Sequence, residues 1–105
     1  MSAHAATFAI APTHPSLPGH FPGEPVVPGV VVLDEVLAIA EAWRGGVLDV
    51  AGLPQVKFAS SLLPGEVAHV SLDGDDATLR FVVRCGERAV AQGAFTLRAG
   101  ATTVA

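Results

Sequence analysis

The sequence predicts an α+β domain in which a curved antiparallel sheet wraps one long helix. Three observations carry that expectation. Residues 29–44 run without proline and stop at Gly45-Gly46, the punctuation of a helix C-terminus. Val30, Val31, Val32, Leu33, Val36, Leu37, Ile39 and Trp43 leave that helix almost no polar face, and a helix apolar nearly all round has to be enclosed. The rest of the chain supplies an enclosure, because strand-like runs alternate with Pro64-Gly65, Asp73-Gly74-Asp75-Asp76 and Gly86-Glu87 at hairpin spacing.

Taken in order, Thr7 to Pro12 reads as a short first strand, ended by the loop chemistry of the residues after it. Pro15, Pro18, Pro22, Pro25 and Pro28, with Gly19 and Gly23, then form a segment whose backbone is stiff but irregular. The helix follows over 29–44, about four turns. Four further strands are expected over 56–63, 67–72, 77–85 and 88–98. In the third of these, Leu79, Phe81, Val83 and Cys85 alternate with Thr78, Arg80, Val82 and Arg84, the two-residue period of a half-buried strand. In the last, Ala91 and Gly93 are small residues at which the helix is expected to approach closely.

Composition narrows the function. A chain of 105 residues, half of them apolar and 15% charged, suits a single folded domain over 1–105. Its one cysteine, Cys85, excludes an intrachain disulfide and a multi-thiolate metal site. His4, His14 and His69 lack ligand spacing and read as surface or structural residues, so no metal is expected. The N-terminus lacks the basic and apolar regions of a secretory signal, and Asp34, Glu35 and Glu41 interrupt the most apolar stretch, residues 26–43, where carboxylates would be costly in a bilayer. A cytoplasmic protein without a membrane span is the expectation. With a formal net charge of -4 and six scattered basic residues, nucleic acid is a poor partner.

One stretch is specific. Gly19-His-Phe-Pro-Gly-Glu-Pro-Val-Val-Pro-Gly-Val-Val-Val-Leu-Asp34 closely resembles the active-site motif of the bacterial beta-hydroxyacyl-acyl-carrier-protein dehydratases: His-Phe-Pro, then Pro-Val-x-Pro-Gly, then an acid fourteen residues after the His. Lys57-Phe58 and Leu63-Pro64-Gly65-Glu66 add a weaker echo. The resemblance implies the hotdog fold, His20 and Asp34 as the catalytic pair, and a homodimer in which the His of one subunit faces the acid of the other, with no cofactor beyond the pantetheine that carries the substrate. It further implies an acyl tunnel between subunits, with Phe21, Pro28 and Phe58 as substrate-lining residues, acyl carrier protein or acyl-CoA as partner, and room for a dimer of dimers. Within that family the chain departs in two ways. Ala38 stands where members commonly carry Gln, and few residues precede His20, so that it looks most like the small accessory dehydratases of fatty-acid-like and aryl polyene pathways.

The chemistry asks for these parts. Removing water from a 3-hydroxyacyl thioester needs a base for the C2 proton, an acid for the departing hydroxyl and donors for the thioester carbonyl. An imidazole at His20 suits the first and a carboxyl at Asp34 the second. The backbone amides of Gly29 and Val30 open the helix, where N–H groups without intrahelical partners collect negative charge. Plainer readings stand beside these: a loop His, a solvated helix Asp, a helix-start Gly. Glu35 is a substitute acid in principle, Cys85 reads as a small buried hydrophobe, and Trp43 as a core or dimer contact. Arg80 and Arg84 share an outward face that an acidic carrier protein could touch. Two other functions remain compatible, a hotdog acyl-thioesterase and a noncatalytic acyl-binding subunit, because the fold alone does not decide.

Overall fold

The helix forms where the sequence places it. α1 (Gly29–Arg44) starts after Pro28, whose extended backbone precedes the first turn, and its carbonyl takes the N–H groups of Val31 and Val32 at 3.0 and 3.2 Å. It stops at Gly45, which adopts the left-handed φ of 82° and donates its N–H to the Glu41 carbonyl at 2.8 Å, a conformation that glycine enters without a Cβ penalty. The Glu41 carboxylate then accepts the Leu48 N–H at 2.9 Å and folds the chain back toward the sheet. The computed structural model describes residues 2–11 and 26–98.

Five strands, β1 (Ser2–Phe8), β2 (Val50–Phe58), β3 (Ala68–Gly74), β4 (Thr78–Cys85) and β5 (Arg88–Leu97), make one antiparallel sheet in the order β1-β3-β4-β5-β2. The β4 alternation is as expected: Leu79, Phe81 and Val83 are buried, while Arg80, Val82 and Arg84 face outward. Val31, Val32, Val36 and Ala40 of α1 join them, with Val70 and Leu72 of β3 and Phe95 and Leu97 of β5, in a single apolar cluster. Each such valine contributes about 1.5–3 kcal/mol on burial.

The structure departs from the sequence expectation at four places. β1 covers Ser2–Phe8 rather than starting at Thr7, because its backbone pairs with β3 from Ser2↔Gly74 to Phe8↔Ala68, and a ladder of that length overrides the low strand preference of its alanines. β2 begins at Val50 and contains Pro54, with register shifts on either side of Gly52. It lies at the sheet edge, where a residue without an N–H is tolerated, and residues 59–63, expected as strand, are loop. Gly93 makes room for β2 rather than for the helix: a Cβ there would stand 2.5 Å from the Gln55 carbonyl oxygen and 3.0 Å from the Phe81 ring. Finally, α1 is not enclosed. A five-stranded sheet covers one side of a cylinder, which leaves Val30 65% exposed and Asp34, Ala38 and Ala42 outward at four-residue spacing, with Leu33 and Leu37 half-buried beside them.

No helix among the described residues is long and apolar enough to cross a membrane. His4, expected to be surface or structural, is half-buried and stacks on Trp43 with ring centroids 5.3 Å apart, and the Arg44 guanidinium lies 4.7 Å from the Trp43 ring centroid. Trp43 also packs against the apolar cluster, so it closes the C-terminal end of α1 onto β1.

Candidate functional site

A cavity of about 710 Å³ opens at the N-terminal end of α1, lined by residues 26–29, Val32, residues 58–62 and Val90. Its walls come from three sources. The first is the turn into α1. The second is the last residue of β2 and the loop after it. The third is Val90, which stands beside the regular alternation of β5: Val83 pairs with Ala91 and Arg84 with Ala89, so Val90 is the extra residue of a β-bulge. That bulge buries Val90 and Ala91 together and aims the Val90 carbonyl at the N–H groups of Ala59 (2.8 Å) and Ser60 (3.4 Å). Bulges commonly serve to re-aim residues beside functional sites. The only sequence trace of this one was the uninterrupted apolar run Ala89-Val90-Ala91.

Three residues expected in the site do line this cavity: Pro28, Gly29 and Phe58. The Phe58 ring, half exposed, lies against Gly29 so closely that a Cβ on that glycine would stand 2.8 Å from its Cζ. No acceptor among the described residues takes the Gly29 or Val30 N–H, as geometry requires of the first turn of a helix. Gly29→Ala is therefore expected to displace the Phe58 ring while lowering the melting temperature by only a few degrees, since the ring is the mobile end of a half-exposed side chain. Thermal unfolding and the Phe58 ring resonances check this.

Asp34 is not in the cavity wall. It is exposed on the open stripe of α1, four residues after Val30 and four before Ala38, and the half-buried Glu35 is its neighbour. The side chain of Val30 likewise points to solvent. His20, Phe21 and His14 lie outside the described residues. His69 is exposed on β3 and Cys85 is half-buried at the end of β4. Arg80 and Arg84 are both outward as expected; Arg80 pairs with Asp73 at 3.0 Å and Arg84 donates to the Glu87 carbonyl at 2.7 Å. Among the described residues no cluster of three His, Cys, Asp or Glu side chains could hold a metal ion.

Comparison with known proteins bears on this arrangement. The model of the ApeI-like family, described as ApeI dehydratase, matches residues 1–94. A 3-hydroxyacyl-[acyl-carrier-protein] dehydratase FabZ of Desulforamulus reducens is 32% identical over 71 residues, 61% of this chain and 50% of its own length. Another FabZ, from Clostridium tetani, is 33% identical over 87 residues, 70% of this chain and 61% of its own. The chain thus spans about half the length of the first of these relatives. Among solved structures, a chain of the dehydratase heterocomplex ApeI:P from Xenorhabdus doucetiae superposes with a TM-score of 0.81 at 26% identity, covering 90% of this chain and 86% of the other. An uncharacterized protein from Erwinia carotovora subsp. atroseptica reaches 0.73 at 23% identity, a likeness of fold. The architecture is the hotdog fold, and the chain belongs to the ApeI-like dehydratase family.

Proposed function

We propose that this chain dehydrates a 3-hydroxyacyl thioester, carried on acyl carrier protein, to the trans-2-enoyl thioester, in a site completed by a second copy of the chain. The observation that carries this reading is the apolar cavity ending on the Gly29 amide, which no acceptor among the described residues takes, in a member of a dehydratase family. A pocket of this size and lining suits an acyl chain, and a helix N-terminus at its end suits a thioester oxygen that gains negative charge.

The steps follow from the groups present. With the carbonyl oxygen at the Gly29 and Val30 amides, the His20 imidazole removes the C2 proton, and the electron pair moves onto the thioester as an enolate. That pair returns to form the C2–C3 double bond as the C3–O bond breaks, and the Asp34 carboxyl gives its proton to the departing hydroxyl, which leaves as water. Phe21, Pro28 and Phe58 hold the acyl chain. No cofactor is needed beyond the substrate's own pantetheine.

The acid reaches such a cavity from another subunit. Asp34 stands on an exposed stripe that does not face its own chain's cavity, and that stripe exposes Val30 at 65%, while β2 exposes Phe58 at 49% and Leu53 at 40%, large apolar side chains open to a partner. A homodimer would bury them; the ApeI:P relative is a heterocomplex, so an unlike partner is the alternative occupant. Val30→Glu puts a charge at the most exposed apolar residue of the stripe and is expected to shift the protein from dimer to monomer by sedimentation velocity, with the far-UV circular dichroism unchanged. A wild-type chain that sediments as a monomer by itself would point to the unlike partner.

The activity test is hydration of a crotonyl thioester by the purified protein, followed as loss of the enoyl absorbance, with thiol release measured in parallel. Hydration without thiol release supports the proposal. Thiol release alone would reassign the chain as a thioesterase, and acyl binding without either reaction would make it an acyl-binding subunit.

A further inference from the structure

Arg88, at the start of β5, reaches two side chains and a backbone carbonyl of the loop that follows β2. Its Nε donates to Ser60 Oγ at 3.3 Å, Nη1 to Glu66 Oε2 at 3.3 Å, and Nη2 both to Glu66 Oε1 at 2.7 Å and to the Ser61 carbonyl at 3.1 Å. The pair with Glu66 is bidentate, the geometry in which a guanidinium fixes direction as well as charge. Glu66 is engaged from its other side too, because Oε1 accepts the Leu63 N–H at 2.9 Å. Ser60 Oγ in turn donates to the Ala89 carbonyl. One guanidinium thereby ties three points of the loop 59–67 to the β4–β5 hairpin.

That loop is a wall of the cavity, through Ala59, Ser60, Ser61 and Leu62; among the described residues its backbone N–H groups reach β5 only at Ala59 and Ser60, and Gly65 ties its far end to the Ile10 carbonyl at 2.9 Å. The next carbonyl after the one Arg88 grips, that of Leu62, accepts the Val27 N–H at 2.8 Å. Val27 is two residues before Gly29. A continuous path therefore leads from an exposed ion pair, through Ser61 and the buried Leu62, to the turn that sets the start of α1.

We propose that Arg88 and Glu66 are positioning residues for the acyl site, clamping the loop 60–62 and through it the entrance to α1, so that they set how tightly the acyl chain is held and which lengths fit. This deepens the function proposed above and rests on its placing the acyl chain in this cavity. The Glu66 carboxyl, held below the ordinary carboxylate range by its hydrogen bonds from Arg88 and then from the Leu63 amide, stays charged at neutral pH and keeps the clamp closed. Because both side chains are partly exposed, the pair adds little to global stability; its effect falls on position, to which binding and catalysis are far more sensitive.

The test measures binding and turnover separately. Equilibrium binding of acyl-pantetheine thioesters of four to ten carbons is followed by calorimetry, and kcat and KM are measured with the matching 3-hydroxyacyl substrates. Arg88→Ala and the gentler Glu66→Gln are expected to raise Kd and KM by about five- to tenfold for the longer chains, with kcat within about twofold and the melting temperature within a few degrees. Arg98→Ala, which removes a surface ion pair with Asp49 at the opposite end of β2, is expected to leave Kd unchanged. If both clamp variants bind every chain length as the wild type does, or if kcat falls in step with lost circular dichroism, the positioning role is overturned while the dehydratase reading stands. Weakened binding in the variants of a wild type that binds but does not turn over would support the clamp and refute the dehydratase. A wild type that neither binds nor turns over acyl-pantetheine would overturn both.

Discussion

His20→Ala and Asp34→Asn should each lower the hydration of a crotonyl thioester by about 10²- to 10⁴-fold, the range expected when a general acid or base is lost. The Asp34 variant is the cleaner of the two. Its side chain is exposed and takes no hydrogen bond among the described residues, and Asn has nearly the same shape, so α1 and its packing should survive intact. A decisive extension mixes the two inactive proteins. If His20 of one subunit works with Asp34 of the other, a mixed dimer regains one site with both groups intact and a second with neither. Random exchange would then restore about a quarter of wild-type activity, half of the dimers each carrying one working site of two. If each site draws both residues from one chain, mixing restores nothing, and the shared site is wrong. Undiminished rates in both single variants would remove His20 and Asp34 from the mechanism.

Gly93→Ala should be a strongly destabilising substitution at the centre of the β5–β2 pairing. The added Cβ would meet the Gln55 carbonyl oxygen at 2.5 Å and Val56 Cα at 3.1 Å, both backbone, and the Phe81 ring at 3.0 Å. Phe81 is 1% exposed and packed against Phe95 with centroids 5.2 Å apart, so it has nowhere to turn. Nor can β2 withdraw without opening its ladder to β5, in which Val56 is the partner of Gly93. Overpacking of this kind destabilises by about 1–3 kcal/mol, a large part of the roughly 5–15 kcal/mol that holds a domain of this size. At about 4–8 °C per kcal/mol the melting temperature should fall by about 4–24 °C. The contrast with Gly29→Ala is informative because the clash there is with a ring that can move. Since Phe58 ends the strand that Gly93 displaces, partial folding should also weaken acyl binding. A Gly93→Ala protein that melts with the wild type would show that β2 and β5 are not so close.

How much of this was legible in advance depends on the range of the interaction. α1 could be read from end to end, because an unbroken apolar run, Pro28 before it and Gly45 after it act within a few residues of one another. The inward face of β4 was equally plain, since alternation of Leu79, Phe81 and Val83 is local. The motif from Gly19 to Asp34 named the family, which the match over residues 1–94 and the ApeI superposition bear out.

Pairing was not legible. Nothing near Ser2 or Val50 announces a strand; each becomes one because a distant backbone, β3 in the first case and β5 in the second, satisfies its amides and carbonyls. Residues 59–63 look like strand and are loop because Val90, bulged out of its own register, Arg88 and Glu66 claim their polar groups instead. The space at Gly93 was foreseen and its occupant mistaken, because a small residue records only that something comes near. Local order and the chemistry of the motif were thus written in neighbouring residues. The wall of the cavity, the clamp upon it and the outward turn of Asp34 came from contacts between segments far apart along the chain, whose free energy no single stretch contains.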